Sequence, residues 1–487
     1  MSLRKVIDAY QANLPPGDLE HFRVDALDRI GVPVVFACHR QNDGAQFDAF
    51  GYGATEEQAL VGVLGELTEN AQADTVLRGR ERVTGSYRDL AARRGAAAVC
   101  DPLTLCLPAG SDYTPDMPLT WVAAKRFPSG EAVLVPYEFA ACYRSQLDGI
   151  EPLTTPITNG LGAGDSFERA LVHGLLELLQ RDGNCIGFRA MDQGHVLDLS
   201  GVSDPETRRL LKYLDALGID VIAKLASTDF GLVNLYVVGS DRDGRSTVPI
   251  MQTACGEAAD LDRERALAKA LLEFCSSRSR KAMSHGPLDL VNRVAPPGYL
   301  DRYRARHIAS AEEPRAVEAM TAWVNQSAAD LRGMLADSVL SRRTSTPFID
   351  LPTSPADTPA ERLRTIAGKL RGSGLDILYF DLSPPGGPPD GDVFAVKAIV
   401  PGLECETMSY HRIGERGIRR LLERGSELAG IGAPPLGMRA VPLTKAAMER
   451  LGGPAWLDTG AIDRIVGPLY ALYREPESHA VRFALGE

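Results

Sequence analysis

Three stretches of helix-compatible sequence carry carboxylates among apolar neighbours, and this pairing constrains the fold more than any other feature. In Val63-Leu-Gly-Glu-Leu-Thr-Glu-Asn70, Glu66 and Glu69 stand three residues apart and share a helix face. In Leu175-Leu-Glu-Leu-Leu-Gln-Arg-Asp182, Glu177 shares its face with Gln180 and Arg181. In Ala266 to Arg278, Glu273 has Lys269 one turn before it and Arg278 just beyond. A carboxylate held against apolar side chains without a partner is costly. Clustered oxygen ligands balanced by Lys and Arg suit Mg²⁺ bridging phosphates. Any one of these pairs also fits a solvated helix face or a salt bridge. Three in one chain give weight to a metal–nucleotide site.

The chain has 487 residues, 44% hydrophobic and 24% charged, enough to bury a large core without covalent staples. Strand-like and helical segments alternate. Val32 to Cys38 reads as a buried strand, and Thr55 to Asp74 as a helix opened by a Thr cap. Strands at Trp121 to Lys125 and Ala132 to Val135 flank a Pro128-Ser-Gly130 turn. Helices follow at Asp165 to Arg181, Pro205 to Leu217 and Asp262 to Ala282, with strands at Asp220 to Ala226 and Leu232 to Gly239. Residues 296–345 are charged and helix-prone and read as an insertion. Pro-rich loops are expected at 351–359 and 383–391, around a helix at Ala360 to Gly372. No internal repeat is visible. The order predicts an α+β fold with antiparallel strand pairs.

The formal net charge of −11 argues against a nucleic-acid partner, which needs a basic face. The eight cysteines include no C-x-x-C pair and suit a reducing cytosol. With no signal-peptide pattern and no long apolar run, a cytoplasmic protein away from the membrane is expected. Thr158-Asn-Gly-Leu-Gly-Ala-Gly-Asp165 leads into a helix but lacks a G-K-[ST] ending, and reads as an ordinary loop-to-helix turn. No G-x-S-x-G, H-E-x-x-H or Cys–His spacing signals another chemistry. His173, one turn before Glu177, reads as a helix-packing histidine.

Taken together, these motifs resemble the YcaO family. Leu27-Asp-Arg-Ile-Gly-Val-Pro-Val34 and Gly51-Tyr-Gly-Ala-Thr to Glu69 resemble its opening motifs. Thr158 to Gly164 with His173 to Asp182 is similar to the central one, and Ala266 to Arg278 and Val400-Pro-Gly-Leu-Glu404 to the later ones. The likeness runs in unchanged order from about residue 20 to 430. That implies an N-terminal extension at 1–19, a YcaO-like domain at 20–430 and a C-terminal extension at 431–487. The implied fold has mixed or antiparallel sheets, with helices surrounding a carboxylate-rich ATP site. The implied chemistry is ATP- and Mg²⁺-dependent phosphorylation of a peptide amide oxygen. A nucleophile then attacks, giving a thioamide, azoline or amidine in peptide natural-product maturation or protein modification. By resemblance, Glu66, Glu69, Glu177 and Gln180 hold Mg²⁺, while Asp165, Glu168, Arg181, Arg278 and Glu273 hold ATP.

The chain also departs from the family pattern. Gln180 stands where a second glutamate is usual, Arg169 where many members carry Glu, Tyr52 in place of Lys, Asn70 in place of Arg, and Ser276 in place of Gln. Losing a carboxylate and gaining an arginine makes the site less negative and weakens a second Mg²⁺. The rival expectation is therefore a non-catalytic YcaO-like scaffold with a degenerate ATP site. No leader-binding or E1-like domain is seen before residue 20, so a peptide substrate implies a separate leader-binding or TfuA-like partner. Exposed helical surfaces leave room for a homodimer.

Overall fold

The structure is a computed structural model that describes residues 2–309, 312–383, 393–405 and 410–487. Thr55, Ser166 and Asp262 each stand in extended backbone and accept a hydrogen bond from an N–H two or three residues on. Each therefore ends a connection from a strand and starts a long helix. The helices are Glu56–Arg78, Phe167–Asn184 and Arg263–His285, and the strands before them are Gln46–Tyr52, Leu161–Gly164 and Cys255–Asp260. In each unit a strand glycine lies flush on its helix. A Cβ on Gly51 would fall 2.0 Å from the Ala59 carbonyl oxygen, and one on Gly162 2.1 Å from that of Ala170. On Gly256 it would fall 2.1 Å from that of Ala270. Such close approach requires glycine.

A strand, cap and helix thus recur three times in space. The units share little beyond the glycine, the cap and one glutamate, which is why the sequence shows no repeat. That glutamate holds a constant place: Glu66, Glu177 and Glu273 each lie 11 residues after their cap.

The strands enter separate sheets. Gly17–Arg23, Val34–Gln41 and Gln46–Tyr52 form an antiparallel three-stranded sheet whose central strand is wholly buried. Cys255–Asp260, Val233–Asp241, Ile219–Ser227, His195–Asp198 and Thr344–Pro347 follow in that order in a second sheet, antiparallel except for its last pair. A third holds Arg82–Ser86, Pro118–Arg126, Leu378–Asp381, Phe394–Ile399 and Leu161–Gly164, with Ala132–Pro136 paired to Pro118–Arg126. A small sheet of Ala429–Ile431, Ala455–Leu457 and Arg439–Ala440 lies near the C-terminus. The α+β architecture with mixed and antiparallel sheets is as expected.

Two readings need amendment. The Gly-rich stretch is not a plain turn: Leu161–Gly164 is a buried edge strand paired with Phe394–Ile399. The charged stretch at 296–345 contains helices Tyr299–Arg304, Pro314–Val324 and Ala328–Leu335. Tyr299, Trp323 and Leu331 from these helices enter the largest core cluster together with Phe36 and Leu457. The amphipathic spacing, not the charge, decides its packing. The loop at 351–358 is present, whereas the one expected at 383–391 lies almost entirely outside the described residues.

Candidate functional site

With a strand glycine against each helix, Glu66 and Glu273 line two of three adjoining cavities of about 790, 590 and 150 Å³, and Glu177 reaches Arg181 on their border. Glu66 lines one cavity with Asn70, Thr158 and Arg280; Glu257, Glu273 and Arg189 line another. Arg181 borders two of the three.

The first helix supplies Glu66 and Glu69. The Glu69 carboxylate accepts a hydrogen bond of 2.6 Å from the Ala163 N–H and lies 3.4 Å from the His173 Nδ1. Burial, then the neighbouring Glu177 and Glu66, push its carboxyl up to about 8. Glu66 is open to the water of its cavity yet walled in by protein. Burial, opposed by Arg280 and reinforced by Glu177 and Glu273, lifts it to about 7. Glu177 accepts the Gly160 N–H at 3.0 Å and meets Arg181 at 3.4 Å. The positive φ of Gly160 presents that N–H. Glu273 accepts the Tyr52 hydroxyl at 3.0 Å, and burial and Glu257 raise its carboxyl. Neighbouring carboxyl groups that raise one another's proton affinity are what a divalent cation would relieve. The set thus fits Mg²⁺, and Arg181, Arg189, Arg280 and Lys269 supply positive charge for a polyphosphate.

The structure brings together Glu66, Glu69, Glu177, Gln180, Arg181 and Glu273. Gln180 is placed as a donor: its amide gives a 2.9 Å hydrogen bond to Glu257. The same Glu257 oxygen accepts from Arg181 at 3.0 Å and from Asn184 at 2.8 Å.

Asp165, Glu168 and Arg278 do not join the cluster. Asp165 pairs at 2.6 Å with Arg169, whose side chain is exposed. Glu168, half-buried on the first turn, is nine residues before Glu177, about 13 Å along the helix. Arg278 corrects the expectation of a phosphate-facing arginine. Wholly buried, it holds Asp28 at 2.6 Å and Asp241 at 2.9 Å, so its donors are spent on the core.

The sequence reading missed Glu257, Arg189 and Arg280. Glu257 is a single glutamate in a strand, where spacing gives no signal. Arg280 did have one. It lies seven residues after Glu273, about 20° off its helical face, whereas Arg278 lies about 140° away. His173, read as a packing residue, instead lies against Glu69.

Residues 50–404 match a family described as YcaO cyclodehydratase, ATP- and Mg²⁺-binding. An uncharacterized protein of Methanothermobacter thermautotrophicus is 30% identical over 393 residues, covering 80% of this chain and 90% of that protein. An uncharacterized protein in the tfuA 3′ region of Rhizobium leguminosarum bv. trifolii is 27% identical over 158 residues, 32% of this chain and 36% of its own. The structure of YcaO from Methanopyrus kandleri bound with AMPPCP and Mg²⁺ aligns at TM-score 0.58 and 20% identity, over 85% of this chain and 94% of that one. A heterocyclase in complex with substrate and cofactor aligns at 0.62 and 17% identity over 87% of this chain, which spans 55% of that structure. At these identities the two structures show a shared fold.

Proposed function

Because the chain belongs to the YcaO family, we propose that it activates a peptide backbone amide at the expense of ATP, with the three constant glutamates as the centre of its site. Mg·ATP supplies the phosphoryl group that turns the amide oxygen, a poor leaving group, into departing phosphate. Glu66, Glu69 and Glu177 hold the metal. Arg181, Arg189 and Arg280 balance the phosphates, and Lys269 offsets the charge of Glu69 and Glu273. Such a site works chiefly by positioning and charge stabilisation. The nucleophile that replaces the oxygen sets the product: sulfide gives a thioamide, a neighbouring side chain an azoline, and an amine an amidine. The relative in a tfuA 3′ region supports the thioamide branch and a TfuA-like partner that brings the peptide.

The observation that carries this reading is that Glu66, Glu177 and Glu273 each lie 11 residues after a helix cap, with Glu66 and Glu273 lining adjoining cavities and Glu177 held to the cavity-lining Arg181. The test is release of ADP and phosphate with peptide and partner present, alongside nucleotide binding by calorimetry. Glu177→Ala removes a metal oxygen and strands the Gly160 N–H, so Mg·ATP affinity is expected to fall more than about 100-fold. That exceeds the loss typical of a supporting residue. Unchanged nucleotide affinity in this variant would refute the assignment.

A further inference from the structure

Away from the glutamate cluster, His307, Glu312 and Glu477 each turn one ligand atom toward a common point, the three atoms lying within 4.8 Å of one another. His307 Nδ1 and Glu312 Oε1 are 3.9 Å apart, and each side chain is 9% exposed. Neither atom has a hydrogen-bond partner. Buried polar atoms left unpaired in this way call for an explanation. The surroundings hold both groups in place. The imidazole rests on Phe483 at 5.4 Å between ring centroids, and the other Glu312 oxygen accepts the Glu477 N–H at 3.3 Å. The nearby Arg474 is engaged with Glu313 at 3.0 Å.

We propose that His307, Glu312 and Glu477 bind a divalent transition-metal ion of the Zn²⁺ class, with its open coordination position toward the cavity that also contains Glu66. Both His307 and Glu477 line that cavity. An imidazole nitrogen with two carboxylate oxygens selects such an ion over Mg²⁺ or Ca²⁺, which take oxygen ligands. Bonds of about 2.0–2.2 Å place tetrahedral ligand atoms about 3.3 Å apart. The His307–Glu312 pair would close by about 0.6 Å around such an ion, and the exposed Glu477 can complete the set by side-chain rotation. Three protein ligands leave a fourth position for water or a substrate group. This site stands independently of the ATP reading, because it shares none of that site's carboxylates.

The test uses the full chain, stripped with a chelator and titrated with Zn²⁺ under saturating Mg·ATP. One Zn²⁺ per chain is expected. His307→Ala and Glu477→Gln should each weaken it more than about tenfold while leaving Mg·ATP affinity unchanged, and Glu477→Gln should also keep the melting temperature. Co²⁺ in its place should give visible ligand-field absorption that His307→Ala abolishes. Because Glu477 is exposed, Glu477→Gln keeps the test valid if the histidine variant folds poorly. Absent stoichiometric Zn²⁺, equal affinity in both variants, or loss of the Zn²⁺ in Glu177→Ala would each overturn the proposal.

Discussion

Arg278 and Arg280 sit two residues apart on one helix and differ in what surrounds them. Arg278 spans Asp28 and Asp241 in the core, where Arg29 also reaches Asp241. Arg280 is partly exposed beside Glu475 at 3.9 Å and lines the cavities of Glu66 and Glu273. Truncating Arg278 leaves buried carboxylates without their cation, which costs about 3–5 kcal/mol. Arg278→Ala should therefore melt much earlier. Arg280→Ala should keep its melting temperature and lose about tenfold in Mg·ATP affinity, consistent with the removal of one charge-assisted contact. Calorimetry and thermal melts on both variants separate the two roles, and the reverse pattern would sink the assignment. The carboxylates were legible because helical spacing shows when two side chains share a face. The choice between the two arginines was legible too, by the same phase, but the sequence pattern was followed in its place. Glu257 was not legible, because its importance comes from three donors arriving from another element.

At the scale of elements, caps and apolar periods located the long helices to within a few residues. The Gly-rich edge strand escaped, because glycine is a poor strand former and signals a turn. Only the approach of the Phe167–Asn184 helix explains its composition. The Gly162 Cα faces the Ala170 carbonyl and the Gly174 N–H, and neither backbone atom can give way. A methyl group there pushes strand and helix apart. Overpacking commonly costs 1–3 kcal/mol, and contact with rigid backbone places Gly162→Ala at about 3 kcal/mol. The displacement would also draw the Ala163 N–H away from Glu69. The variant should therefore lose both stability and Mg·ATP affinity, whereas a surface-strand alanine substitution would lose neither. Full nucleotide affinity at a normal melting temperature would show that this strand does not set the site.

For the whole molecule, the net charge of −11 says little about where charge matters, because a few acids are enclosed while most are solvated. No helix among the described residues is long and apolar enough to cross a membrane. The enclosed acids tie stability to pH. Burial lifts Glu69 to about 8 and Glu138 to about 7, both above their unfolded values. A raised carboxyl stabilises the fold while protonated, and that contribution fades as pH rises through the folded value. Histidines act the other way: burial lowers His285 and takes His479 down to about 3, so their contribution is lost as pH falls below the unfolded histidine range. At pH 6.5 all but about 0.4 kcal/mol per histidine is already restored, and the contribution is essentially complete by pH 7.5. Glu66 is likewise lifted to about 7, so Cys405, lowered to about 7 by the Cys106 hydrogen bond, opposes the carboxyls with one group against three. Between about pH 7 and 8.5 the metal-free chain should thus lose stability. Melts in a chelating buffer should show the temperature falling across that window, and Glu69→Gln, which removes the largest of these shifts, should flatten the slope. A profile that is flat in the parent chain, or as steep in the variant, would mean that Glu69 is not held protonated by the fold.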